Sequence, residues 1–398
     1  MDLTEASQQV HKYNINKLLN LKGVIIKNIK HFDNHVEIYI STKVKPHTCP
    51  VCGNITKKIH DYRTQRIKDL PIQMKNTFLI LRKRRYVCDC GKRFYEKLDF
   101  LPRYHRMTSR LVCSIVKELE QNYSMKSVAN RLNVSTHTVQ RVFDYVSYSL
   151  NSLPEAISID EFKGNSDGIK YHCSIVDPVN HKVLDIVKDR KFSYLSTYFK
   201  VFNNRDKVKY FICDMYRPFV DIAKTYFKNA KIVIDKYHFI RYNNWAIENV
   251  RKRVQRNMPS HLRKYYKKSR KLILARKDNL NEESKKQLEV MLLYSEDLRQ
   301  AHYLKELFYK VIEAKSSKEA RPLLKKWINI AKSSGLKEYI STANTYSNWF
   351  NEILNSFDVT FTNGCTEGFN NKIKVLKRNA FGFRNFERFR NRILHCCR

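Results

Sequence analysis

Residues 156 to 234 read as three strand-like segments in succession and then as helix, strand, helix, strand, an order that few folds share. The strand-like segments are Ala156 to Phe162, Lys170 to Val176 and Lys182 to Lys188. Turn chemistry separates them at Asn165-Ser-Asp-Gly168 and Asp177-Pro-Val-Asn180, so an antiparallel meander is expected. A helical stretch from Ser193 to Phe202 then leads to a strand from Val208 to Cys213. A helix from about Pro218 to Phe227 and a strand from Ala230 to Ile234 follow. Asp160 stands inside the first strand, in Ala156-Ile-Ser-Ile-Asp-Glu-Phe162, and Asp214 closes the fourth.

Three antiparallel strands followed by alternating helix and strand is the order of the ribonuclease H-like fold. That fold carries one carboxylate midway along its first strand, one at the end of its fourth and one on its last helix. Asp160, Asp214 and Glu367 occupy those places, Glu367 lying in Asn363-Gly-Cys-Thr-Glu-Gly-Phe-Asn-Asn371 near the start of a helix through Lys377. An aspartate within an apolar strand is costly unless it is paired or holds a metal. The neighbouring Glu161 points to the opposite face by strand alternation. Asp214 has an ordinary alternative as the cap of the following helix. For Glu367 the alternative is complementing a helix dipole. Together the three would hold two divalent ions, Mg²⁺ or Mn²⁺, beside which Asn371 and Lys374 fall at i+4 and i+7 from Glu367.

The remainder of the chain suits DNA. Lys and Arg number 76 against 38 Asp and Glu, a net charge of +38, while 42% of residues are apolar. A polyanionic partner and folded cores are both implied. No apolar run is long enough to cross a membrane and the start lacks a secretory pattern, which predicts a soluble intracellular protein. Of ten cysteines only Cys49, Cys52, Cys88 and Cys90 form a tight set, as Cys49-Pro-Val-Cys52 and Cys88-Asp-Cys90 separated by 35 residues of strand-like alternation. Four thiolates predict one closed structural Zn²⁺ site. Arg82-Lys-Arg-Arg85 lies between the pairs, as a phosphate contact or a solvated edge strand.

From residue 108 the apolar period changes to that of helices. Ser124 to Phe143 has helix-turn-helix spacing, with Val128, Ala129 and Leu132 inward on one helix and Val134, Val139 and Val142 inward on the next. Thr136, His137, Gln140 and Arg141 are left to meet bases and phosphates. Residues 240 to 355 are helical in pattern, and 251 to 277 hold twelve Lys or Arg and no acid. Such a face cannot form its own i,i+4 pairs, so Arg251, Arg253, Lys267, Lys268 and Arg270 are expected on DNA, as are Lys377 and Arg378 after Glu367. Trp245 and Trp349 are expected in the helical core.

The cysteine set, the helix-turn-helix, Ser158-Ile-Asp-Glu-Phe162, Asp235-Lys-Tyr-His238 and Asn363 to Lys374 together resemble the ISL3 family of bacterial insertion-sequence transposases, over nearly the whole chain. The resemblance implies a DDE transposase that cuts and rejoins DNA at the terminal inverted repeats of its element, with Asp160, Asp214 and Glu367 as its triad. It also separates Asp214 from Asp235, which closes the next strand and would join His238 as a supporting residue. The implied layout is an α+β multidomain chain. It comprises an N-terminal segment 1–40, a zinc-finger domain 41–100 and a helix-turn-helix domain 101–150. A ribonuclease H-like domain 151–239 and 356–398 follows, interrupted by a helical insertion 240–355. Partners are double-stranded DNA, as element ends and target, and a second copy for synapsis. The rival reading is a non-catalytic zinc-finger and helix-turn-helix regulator derived from a transposase.

Overall fold

In the computed structural model, which describes residues 19–268, 270–360 and 364–397, the chain divides into two units. Residues 1–18, Ser269, residues 361–363 and Arg398 lie outside the described residues, and with them Asn363 and the first 18 residues of the 1–40 segment. One unit ends at Ser147 and takes in Arg378–Gly382; the other comprises Tyr148–Lys377 and Phe383–Arg398.

Among the described residues the first unit has a five-stranded sheet, a two-stranded pair and three helices. Its strands are β1 (Val24–His31), β2 (His35–Thr42), β5 (Ile59–Ile72), β6 (Lys75–Val87) and β7 (Arg93–Tyr95). They run in the order β1-β2-β6-β5 with β7 also on β6, while β3 (His47–Thr48) and β4 (Ile55–Thr56) form a separate pair. Strand alternation sends Val36, Ile38, Ile40, Ile67, Leu79 and Leu81 to one face, where they pack with Leu19 and Leu101. Because β6 lies between β2 and β5, Arg82–Arg85 is not on an edge strand. Arg84 is buried, its amide donating to Glu96 Oε1 at 2.8 Å and its side chain paired with the same carboxylate. Arg85 is tied to Asp61.

The helices are α1 (Ser109–Glu118), α2 (Met125–Arg131) and α3 (Thr136–Phe143). Ser124 and Ser135 cap the last two, their hydroxyls accepting from the amides of Ser127 at 3.0 Å and Thr138 at 3.1 Å. Between them Asn133 takes a φ of 52°, left-handed backbone that asparagine tolerates. Val128, Ala129, Leu132, Val139, Val142 and Phe143 close the core with Leu111, Ile115 and Leu119. Val134 packs against it half-buried.

The second unit is built on a mixed sheet of β8 (Ala156–Ser166), β9 (Ile169–Asp177), β10 (Lys182–Val187), β11 (Tyr210–Cys213) and β12 (Lys231–Ile234), in the order β10-β9-β8-β11-β12. The first three are an antiparallel meander, and β8, β11 and β12 are parallel. Between the strands lie α4 (Phe192–Lys200) and α5 (Arg217–Tyr226), whose Leu195, Phe199, Phe219 and Val220 pack on Ile157, Ile159, Ile175 and Phe211. The opposite face, with Phe162, Val176 and Ile186, is covered by Ile373, Leu376, Phe386, Phe389 and Ile393 of α14 (Gly364–Asn379) and α15 (Phe386–Cys397).

From Lys236 to Asn355 the chain is helical. It runs through α6 (Lys236–Arg256), α7 (Ser260–Lys268), α8 (Arg270–Leu274), α9 (Glu282–Leu293), α10 (Glu296–Ile312), α11 (Ser317–Lys332), α12 (Lys337–Asn348) and α13 (Phe350–Asn355). Phe239, Ile247, Leu304, Phe308, Trp327, Tyr339 and Tyr346 make this core continuous with that beneath the sheet. Trp349 is buried as expected. Trp245 is not: it is 46% exposed, with Arg241 lying over its ring at 4.4 Å.

Candidate active site

The strand register gathers the acidic residues. β11 pairs in parallel with β8 up to Ile212↔Ser158, and with β12 up to Cys213↔Ile234. Asp160 lies two residues beyond Ser158, Asp214 follows Cys213 and Asp235 follows Ile234, so three aspartates stand level on adjacent parallel strands. The Asp235 amide donates to the Cys213 carbonyl at 3.1 Å, extending the ladder to that level. Apolar residues on both sheet faces force these strands inward, and the carboxylates emerge where the strands end.

Glu367 comes from the first turn of α14 and is exposed. The helix is fastened by Thr366, which donates to Ser158 Oγ at 3.2 Å, and by Asn370, whose Nδ2 donates to Asp160 Oδ2 at 2.8 Å. Asn370 Oδ1 accepts from Ser174 Oγ at 3.3 Å. The amide beside Asp160 is therefore Asn370, not Asn371. Asn371 and Lys374 are exposed and bonded to each other at 3.2 Å, because the inward face of α14 runs through Thr366, Asn370, Ile373 and Leu376. The expected placement of Asn371 and Lys374 is corrected accordingly.

The site is electrostatically loaded. Burial pushes the Asp160 carboxyl up to about 6, and the charges of Glu161, Asp235 and Glu367 add to this against the pull of the Glu161 amide. Burial likewise pushes Asp214 up to about 7, followed by repulsion from Asp160 and Glu161, while the Tyr216 amide and Arg190 pull it down. Glu161 is itself neutralised by Arg190, whose guanidinium lies over the rings of Tyr171 at 4.4 Å and Tyr216 at 4.8 Å. His238, 3.8 Å from Asp235, is pushed down to about 4 by burial and by Arg241, so it is neutral at pH 7. Buried, mutually repelling oxygen donors are the chemistry that suits a hard divalent cation. The carboxylates are nonetheless spread more widely than the cysteines, the one group of three or more ligand-type side chains among the described residues whose donor atoms all lie within 4.8 Å.

In that cysteine group Cys49 and Cys90 Sγ are 3.6 Å apart and Cys52 and Cys88 Sγ 3.4 Å. Disulfides would need about 2.05 Å. The edge of a tetrahedron around zinc, with bonds of about 2.3 Å, is about 3.8 Å, so the four thiols fit it. Two matching turns present them. The Gly53 amide donates to the Cys49 carbonyl at 3.1 Å and that of Gly91 to Cys88 at 2.9 Å, with φ of 75° and 81° that only glycine adopts freely. Amide donation from Cys52 holds the Cys49 thiol down, while the neighbouring thiols hold Cys52 up, the opposed shifts of sulfurs packed against one another.

Residues 157–393, more than half the chain, match the transposase family of ISL3 type. The chain belongs to the ISL3 family of transposases. Residues 45–90 match the zinc-finger of transposase IS204/IS1001/IS1096/IS1165, and residues 96–147 the helix-turn-helix domain of transposase family ISL3. The chain is 28% identical over 369 residues to the transposase for insertion sequence element IS1001 of Bordetella parapertussis, with 89% of each chain covered. A shorter likeness, 43% over 56 residues, joins it to an "ATP-dependent protease" of Lactococcus lactis subsp. lactis, covering 14% of this chain and 18% of that one.

The zinc-finger and helix-turn-helix make this transposase a DNA-binding protein, and the four cysteines support its structural zinc. Thr136, His137 and Arg141 of α3 are exposed and Gln140 is half-buried. The basic helical stretch divides. Lys267 and Lys268 are exposed, and no carboxylate pairs with either among the described residues. Arg251 is buried at 4% exposure, bound to Glu248 at 2.9 Å and to Gln255, so its expected DNA contact is corrected to a structural one. Arg270 also reaches Glu248, at 3.0 Å, and Arg253 bonds Glu338 at 2.8 Å and Asp297 at 2.6 Å. The compensating acids come from outside residues 251–277. Lys377 donates to the Lys163 carbonyl at 2.9 Å, and Arg378 is exposed. No described helix is long and apolar enough to cross a membrane.

Proposed function

We propose that this chain is a DDE transposase that binds the terminal inverted repeats of an insertion sequence, cuts the DNA there and joins the freed 3′ ends to target DNA. The observation that carries it is the level row of Asp160, Asp214 and Asp235 on adjacent strands, with Glu367 in the first turn of α14 near enough for its charge to be felt at Asp160. The strand order β10-β9-β8-β11-β12, with helices on both faces, supports a ribonuclease H-like core. The helices between β12 and α14 are then its insertion, within the layout 151–239 and 356–398 around 240–355. A segment at 1–40, the zinc-finger at 41–100 and the helix-turn-helix at 101–150 precede it, β1 and most of β2 in that segment joining the sheet of β5 and β6.

In this proposal Asp160, Asp214 and Glu367 hold Mg²⁺ or Mn²⁺, which when bound lowers the barrier to attack on a phosphodiester by stabilising the entering and leaving oxygens. Asn370 fixes the Asp160 rotamer, and the Tyr216 amide, donating to Asp214 Oδ1 at 3.2 Å, fixes that of Asp214. Arg190 keeps Glu161 engaged apart from the other carboxylates. Asp235 and His238 support the strand end. Water first attacks phosphorus, ending on a 5′-phosphate as the P–O3′ bond breaks and frees a 3′-hydroxyl; that hydroxyl then attacks a target phosphodiester, forming a new P–O bond as the target's own 3′-hydroxyl leaves. Two element ends must be handled together, so the working form is a homo-oligomer. Such an enzyme acts at the bacterial nucleoid.

The test uses a duplex carrying the inverted repeat that flanks the gene. With Mg²⁺ or Mn²⁺ the purified protein nicks it at the repeat boundary and joins 3′ ends into a plasmid, and with chelator it binds without cutting. Binding without cutting in either metal would refute the proposal in favour of a DNA-binding regulator.

A further inference from the structure

The first unit carries its apolar core on one sheet face only. Register partners in a sheet share a face, and the pairs Lys30↔Glu37, Glu37↔Phe78, Lys68↔Phe78, Tyr39↔Ile80, Arg66↔Ile80 and Thr64↔Arg82 put these residues on the other. Lys30, Tyr62, Arg66 and Arg82 on that face are exposed. Three of its aromatic rings, Phe78, Tyr62 and Tyr39, lie beneath cations, and a fourth, His35, packs edge-on to Phe78. Arg66 stands 3.5 Å and Lys68 4.8 Å over Phe78, Arg82 4.0 Å over Tyr62, and Lys30 5.2 Å over Tyr39. Against these four cations the described strand residues of the face bring one carboxylate, Glu37, which is 3.5 Å from Arg66.

From this arrangement we propose that the open face of the β1-β2-β6-β5 sheet, through Lys30, Arg66, Lys68 and Arg82, grips the phosphate backbone of duplex DNA as a second contact surface beside the helix-turn-helix. This rests on the DNA-binding reading above and adds a site to it. The partner follows from charge: fixed cations with almost no acid among them match a polyanion, and the ring beneath each guanidinium or ammonium orients it at little cost in mobility. Three interstrand steps separate β1 from β5, roughly 14 Å at about 4.8 Å each, close to the roughly 12 Å width of the major groove. Lys30 on one side and Arg66 and Lys68 on the other can therefore sit on the two backbones bordering a groove. The surface makes no base-edge pattern, so it adds affinity without sequence preference. Zinc plays no direct part in the contact. Its site secures the Cys88 end of β6, on which Arg82 is carried.

The test is binding of full-length protein, without divalent metal, to an element-end duplex and to a scrambled duplex of equal length, over a range of salt. A variant with Arg66→Gln, Lys68→Gln and Arg82→Gln lowers the slope of log affinity against log salt by about 2.7, at about 0.9 per phosphate contact, and does so equally on both duplexes. Arg141→Ala weakens the element-end duplex preferentially, so failure of the helix-turn-helix reading shows up separately. A charge-matched control, Lys310→Gln with Lys325→Gln and Lys326→Gln, holds the slope nearer to wild type than the sheet variant does. Zinc content and melting confirm folding; if the triple variant fails there, Arg82→Gln alone, at an exposed strand position, lowers the slope by about 0.9. An unchanged slope, a loss confined to the element-end duplex, or an equal loss in the control overturns the proposal.

Discussion

Replacing Asp160 with asparagine should stabilise the metal-free transposase at pH 8 while removing its chemistry. Burial and the neighbouring acids raise this carboxyl from an ordinary 3.8 to about 6, so above pH 6 the fold carries an ionised group that it disfavours by about 3 kcal/mol relative to the unfolded chain. The sign follows from proton binding. Between about pH 4 and 6 the folded state holds a proton that the unfolded state has lost, so stability falls as pH rises through that window and stays low above it. Asparagine carries no such penalty. It keeps one acceptor for the Glu161 amide, 2.8 Å from Oδ1, but presents an NH₂ to Asn370 unless that amide turns over and gives up Ser174. The loss is about 1 kcal/mol. The balance is a gain of about 1–2 kcal/mol, or about 2–8 °C in melting temperature for a unit of this size. Melting curves in chelator at pH 8 and pH 4 measure it, with the gain shrinking toward zero at the lower pH. Added Mg²⁺ should raise the melting temperature of wild type more than that of the variant. A variant that melts at or below wild type at pH 8 in chelator would show that Asp160 is not held as a repelled, buried carboxylate.

Cys88→Ser should lower bound zinc from one per chain to near zero by elemental analysis and weaken binding to an element-end duplex, since zinc sites of this kind supply folding energy directly. Gly164→Ala should destabilise by about 1–3 kcal/mol in denaturant melts, because an added Cβ would stand 1.8 Å from the ring of buried His172. Arg251→Ala should cost about 1–3 kcal/mol by removing a buried guanidinium from Glu248 and Gln255 while Arg270 still pairs with Glu248, with little change in the salt dependence of DNA binding. Lys267→Gln with Lys268→Gln should do the reverse, reducing the salt slope by up to about 2 with melting unchanged.

Asp160 and Asp214 were legible because each breaks or ends an apolar strand, and strand order is written in the spacing of apolar residues and turns. The cysteine pairs and the serine-capped α2 and α3 were legible for a similar reason: their partners are close in sequence. What escaped depended on distant partners or on helix phase. Arg251, Arg253 and Arg270 looked unpaired because Glu248, Asp297 and Glu338 lie outside their own stretch. Counting from Glu367 points to Asn371, whereas the inward phase of α14 is marked by Ile373 and Leu376, which put Thr366 and Asn370 against the sheet. Arg190 lies in a connection with no periodic signal; only the fold brings it to Glu161 and Tyr216.

The central claim is that Asp160, Asp214 and Glu367 form the metal-holding triad, with Asp235 in support. One set of single-turnover cleavage rates on an element-end duplex tests it, comparing wild type with Asp160→Asn, Asp214→Asn, Asp235→Asn and Glu367→Gln in Mg²⁺. The account predicts a fall of about a thousandfold or more for the three triad variants, with duplex binding retained, and about tenfold or less for Asp235→Asn. Near wild-type cleavage by Asp160→Asn, or by Asp214→Asn while Asp235→Asn is inactive, would contradict it.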